Sequence, residues 1–121
     1  MKRVAIIDDR PEFVENMGSI ASAAGHEVLA VSIFDEPYCM DLEKVARVVG
    51  GWKPDIVFID HDLQLGQKTG EDLARILALP KKMLIGTSLY NQTYCQRHFD
   101  GKGRISSDQA VSREFLEIIE E

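Results

Sequence analysis

Short apolar runs that stop at acids or hydroxyls alternate along this chain with longer stretches whose apolar residues recur at helical spacing. Val4-Ala5-Ile6-Ile7 is continuous, rich in β-formers and closed by Asp8 and Asp9, and predicts a first strand. Pro11 suits a first helical position, and Phe13, Met17, Ile20, Ala21 and Ala24 fall on one face up to Gly25, so a helix is expected from Pro11 to Ala24. His26 to Val31 reads as a second strand, followed by a turn at Phe34-Asp35-Glu36-Pro37. From Tyr38 to Val49, Leu42, Val45, Ala46 and Val49 share a face, and Gly50-Gly51 is expected to end this second helix. Asp55 to Asp62, DIVFIDHD, follows the turn signal Lys53-Pro54 and predicts a buried strand with carboxylates at its C-terminal end. A polar loop from His61 to Thr69 leads into a short helix, Glu71 to Leu79, capped near Thr69 or Gly70 and ended by Pro80. Met83-Leu84-Ile85-Gly86 is a fourth strand that delivers Thr87 and Ser88 to its end. Ser106-Ser107-Asp108-Gln109 has capping-box spacing before a final amphipathic helix carrying Val111, Phe115, Leu116, Ile118 and Ile119. Leu89 to Ile105 shows no clean period, although one more helix and one more strand are expected there.

Strand and helix in alternation predict a parallel sheet of about five strands, covered by helices on both faces through right-handed crossovers. The 121 residues suffice for one domain, so residues 1–121 are read as a single unit. An apolar content of 45% with 28% charged residues is a globular balance, and no run is long enough to cross a bilayer. The apolar run after Met1-Lys2-Arg3 is too short for a signal peptide, so a cytoplasmic location is expected. Cys39 and Cys95 have no metal-ligand or disulfide-scaffold spacing and are read as reduced thiols. A net charge of −6 argues against a broad phosphate-backbone contact, so no nucleic acid is expected as partner.

Three strands are thus expected to end in polar side chains on one sheet edge: Asp8-Asp9, Asp60, and Thr87-Ser88. In an open α/β sheet that edge is where ligands gather. Carboxylates brought together resist ionising unless a cation lies between them, and a hard divalent ion such as Mg²⁺ accepts such oxygen donors. The bland alternative is that these acids merely end strands at solvent, as turn or N-cap residues. His61 is read as an exposed loop residue rather than a phosphodonor or ligand, since no second histidine lies at metal-ligand spacing and His26 and His98 are isolated.

In these residues the chain resembles the receiver domains of two-component response regulators, the CheY-like superfamily: VAIIDD matches the family's first strand with two acids, DIVFID the strand that ends in the phosphoacceptor, and MLIGTS the strand that ends in Thr or Ser. The resemblance implies a doubly wound, flavodoxin-like (βα)5 fold. It implies that Asp60 accepts a phosphoryl group from a phosphohistidine donor. It further implies that Asp8, Asp9, Asp60 and the backbone carbonyl of Asp62 hold Mg²⁺, that Thr87 hydrogen-bonds the phosphoryl oxygen and that Lys102 is the family lysine. Partners would be a sensor histidine kinase or histidine phosphotransferase and a downstream protein target, with the chain a stand-alone monomer or weak homodimer. It would be a signalling protein that catalyses only its own phosphorylation and dephosphorylation. The Pro and Gly that the family carries after its phosphoacceptor are Gln64 and Lys68 here, with Gly70 a candidate for the glycine. Gly103 stands where a proline usually follows the lysine, while Phe99 precedes Lys102 where the family has an aromatic.

Two alternatives follow from the same residues. One is a pseudo-receiver that binds partners without phosphorylation. The other takes Asp60-His61-Asp62 as the DxD of a Toprim-like, Mg²⁺-dependent nucleic-acid enzyme, for which the expected first-strand Glu-Gly is absent.

Overall fold

In the computed structural model, residues 1–60, 70–87 and 111–120 are described. Among them the elements run β1 (Arg3–Asp8), α1 (Pro11–Ala23), β2 (Glu27–Ser32), α2 (Leu42–Trp52), β3 (Ile56–Asp60), α3 (Gly70–Leu77), a 3-10 turn (Lys81–Met83), β4 (Leu84–Thr87) and α4 (Val111–Glu120). The four strands form one parallel sheet in the order β2-β1-β3-β4. The architecture is the doubly wound α/β fold expected from the alternation of elements. Four strands are described rather than about five; the fifth strand and the helix before it were expected within 89–105, outside the described residues.

Period-two alternation sorts the strand side chains onto two cores. Ala5, Ile7, Val57, Ile59 and Leu84 pack with Leu42, Val45 and Val49 of α2 and with Leu73 and Leu77 of α3. Val4, Ile6, Ile56, Phe58 and Ile85 pack on the other face with Met17 and Ala21 of α1 and with Phe115 and Ile119 of α4. Strands apolar on both faces need cover on both, which explains why the sequence runs are continuous rather than alternating.

Several boundaries differ from expectation for local reasons. α2 begins at Leu42, not Tyr38, because Asp41 is its N-cap: the Asp41 carboxylate accepts from the Lys44 N–H at 3.1 Å. It also runs through Gly50-Gly51 instead of stopping there, ending at Lys53 in the left-handed region (φ 58°). Two glycines cost a helix about 1 kcal/mol each. That cost is offset where Trp52 packs on the core, its ring 4.4 Å from the Arg3 guanidinium and its carbonyl accepting from Arg3 Nη2 at 2.7 Å. α3 stops at Leu77, ahead of Pro80, because Ala78 turns left-handed (φ 53°). α1 ends as expected near Gly25, whose φ of 93° closes the turn.

Candidate functional site

Parallel register decides which strand ends meet. Ile7 pairs with Ile59 and Asp60 pairs with Thr87, so Asp8, Asp60 and Thr87 stand at one level at the C-terminal edge. By alternation they continue the rows Val4-Ile6, Ile56-Phe58 and Ile85, each closing a strand on the face covered by α1 and α4. All three are buried, with Asp8 at 0%, Asp60 at 7% and Thr87 at 3% exposure, the buried polar residues beneath an otherwise apolar sheet. Asp9, half-buried, follows β1. One carboxylate oxygen from each of Asp8, Asp9 and Asp60 lies within 4.8 Å of the others.

Burial raises the Asp8 pKa from 3.8 to about 6, and a hydrogen bond shared with Asp9 adds to the rise, while Arg10 opposes it. Arg10 is the residue that the sequence reading missed. Its backbone N–H donates to Asp8 Oδ1 at 2.9 Å, its Nε to the same oxygen at 3.1 Å and its Nη2 to Oδ2 at 3.3 Å. The guanidinium also feels Asp60 and Asp9, and it lies over the Phe13 ring at 4.5 Å. The available signal was a lone cation placed directly after two acids and before the helix-opening Pro11.

Gly70 explains a second feature. It opens α3 against the end of β3: a Cβ there would land on the Asp60 carbonyl oxygen and come within 3.0 Å of Ile59 Cγ2. Only glycine lets this helix start so close to the strand end that carries Asp60.

Three hard oxygen donors, one held above its ordinary pKa by burial, fit a divalent cation such as Mg²⁺, which would relieve the repulsion among them. Asp62 and Lys102, expected to complete the site, lie outside the described residues, as does Ser88. The Asp60-Asp62 pair that a Toprim-like reading needs therefore has no described geometry. No helix among the described residues is long and apolar enough to cross a membrane.

A parallel α/β sheet with acids converging at the C-terminal edge of its two central strands defines a class of doubly wound proteins with a polar, cation-compatible pocket. Within that class the fold is that of response-regulator receiver domains. The signal receiver domain of a modulated diguanylate cyclase from Desulfovibrio desulfuricans G20 superposes with a TM-score of 0.75 at 20% identity, over 99% of this chain and 91% of that one. The N-terminal domain of a response regulator/sensory box/GGDEF protein from Carboxydothermus hydrogenoformans gives 0.72 at 18% identity, covering 98% and 91%. The receiver domain of Francisella response regulator 1452 gives 0.70 at 12% identity, covering 98% and 94%. At the level of sequence, no family model and no curated protein matches the chain.

Proposed function

We propose that this chain is a signalling receiver that accepts a phosphoryl group on Asp60 from a phosphohistidine donor and thereby switches a protein-binding surface. The observation that carries the reading is the convergence of the Asp8, Asp9 and Asp60 carboxylates within 4.8 Å, with Thr87 paired to Asp60 across the sheet. In the transfer an Asp60 carboxylate oxygen attacks phosphorus, the bond from phosphorus to the donor imidazole nitrogen breaks, and its electron pair stays on the imidazole. Asp8, Asp9 and Asp60 would hold Mg²⁺, which when bound supplies positive charge against the phosphoryl oxygens. The chain's own contribution is positioning. Gly70 lets α3 start close against the end of β3, the sheet register holds Asp60 level with Asp8, and the Thr87 hydroxyl, at the strand end paired with Asp60, would donate to a phosphoryl oxygen. Lys102 is assigned the second cationic role by resemblance. A donor kinase or phosphotransferase and a downstream protein would be the partners, in the cytoplasm.

The test is incubation of the chain with acetyl phosphate and Mg²⁺ followed by intact-mass measurement. One added phosphoryl group, labile to hydrolysis and lost in Asp60→Asn, is expected. A chain that binds Mg²⁺ at these acids yet takes no label at high donor concentration would instead be a phosphorylation-independent pseudo-receiver.

A further inference from the structure

The guanidinium of Arg10 is forked across both oxygens of Asp8, at 3.1 and 3.3 Å, in the same space where the carboxylates of Asp8, Asp9 and Asp60 converge. It comes from the junction between β1 and α1, and its backbone N–H is fixed on Asp8 Oδ1 at 2.9 Å. Its side chain is 38% exposed, whereas the Asp8 side chain is fully buried. One partner of this pair is therefore free to leave toward solvent, and the other is not.

A divalent ion that takes Asp8 as a ligand must bind a carboxylate both of whose oxygens already accept from Arg10, and it must also accept a positive neighbour. Both effects act in one direction. We propose that Arg10 is a displaceable internal counter-ion: it holds the Asp8 carboxylate in place, competes with the divalent cation for it, and so sets how much cation the site needs before Asp8 becomes a ligand. The inference rests on the receiver reading's metal site but concerns the exchange of cations there, not phosphoryl transfer. The half-buried Phe13 ring, already 4.5 Å from the guanidinium carbon, would keep the displaced side chain nearby. Arg10 is thus a positioning residue acting through Asp8.

The experiment is calorimetric titration of the full chain with Mg²⁺ at pH 8 and low salt, comparing wild type, Arg10→Ala, Arg10→Gln and Arg10→Lys, with Asp9→Asn to identify binding at this site. Removing a unit charge at close range to a divalent ion should tighten binding by on the order of tenfold in the Ala and Gln variants. Lys, which keeps the charge and loses the fork, should fall between them and wild type. Damage to the fold would weaken binding, so the direction of change separates displacement from a structural role. Binding by the Arg10 variants alone, with none in wild type, also supports the proposal. Equal or weaker binding in Ala and Gln overturns it while leaving the metal site standing. Absence of binding in every variant, or binding unaffected by Asp9→Asn, overturns both.

Discussion

Asp8 is a buried acid whose charge works against the fold, and Asp8→Asn isolates that cost. Its side chain has no exposed surface, and burial lifts its pKa from 3.8 to about 6. An acid whose folded-state pKa exceeds its unfolded value holds its proton more tightly in the folded chain. The stability tied to that proton is complete below about pH 4 and is lost as pH rises through 6, so that by pH 8 the buried charge costs the fold about 3 kcal/mol. Asparagine keeps the size of the side chain and an acceptor for Arg10 but carries no charge. Between pH 5 and 8, wild type should therefore lose on the order of 1 kcal/mol relative to Asp8→Asn. Urea unfolding of both proteins at the two pH values, with chelator present and followed through the single tryptophan, Trp52, measures this difference. A gap between the two proteins that changes by less than about 0.5 kcal/mol over this range, or that changes in the opposite direction, refutes the reasoning. Adding Mg²⁺ at pH 8 should restore stability to wild type and do little for the variant, because a ligand that binds only the folded state stabilises it by RT ln(1 + L/Kd), where L is the free ligand concentration.

Gly70→Ala should cost about 1–3 kcal/mol, because the added methyl group meets the Asp60 carbonyl and either the helix or the strand end must shift. The same shift should reduce acetyl phosphate labelling, and unfolding and labelling both at wild-type levels would contradict the close approach. Phe115→Ala should cost about 3–5 kcal/mol in urea unfolding, since Phe115 is fully buried with its ring centroid 4.7 Å from that of Phe58. A loss below about 1 kcal/mol would mean that α4 does not cover this face of the sheet.

The fold was legible because its signal is redundant. The central strands β1 and β3 are apolar on both faces, so Val4 to Ile7 and Ile56 to Ile59 stand out as continuous runs, and the helices between them show one face each. Boundaries were less legible where a tertiary contact overrules a local signal. Gly50-Gly51 reads as a stop, yet the contact of Trp52 with Arg3 carries α2 past it. The start of α2 moved the other way, because Asp41 as N-cap outweighs the apolar Tyr38 and Met40 before it. At the site, the acids and Thr87 were readable as strand-end residues, and parallel register explains their common level. Arg10 was less readable: its place directly after two acids is a signal, but the spacing does not say whether its side chain folds back or out.

Arg10 also changes how the acidic site should be understood. Strands β1 and β3 are held in register by four residue pairs from Val4-Ile56 to Ile7-Ile59, and that register forces Asp8 and Asp60 to the same level whatever their charges prefer. Apolar pairing thus imposes an electrostatic conflict that the sheet itself cannot relieve. Covering α1 and α4 are apolar where they meet the sheet, so relief has to come from the open C-terminal edge. Among the described residues Arg10 is the attached cation that reaches it, and a divalent ion from solution would be another. The attached one engages Asp8, and a guanidinium can fork onto only one carboxylate at a time. A divalent ion held by Asp8, Asp9 and Asp60 would supply the fuller compensation. On the proposed reading, the strand pairing that makes the fold stable would also maintain an affinity for divalent cations, and Arg10 would limit how far that affinity is satisfied.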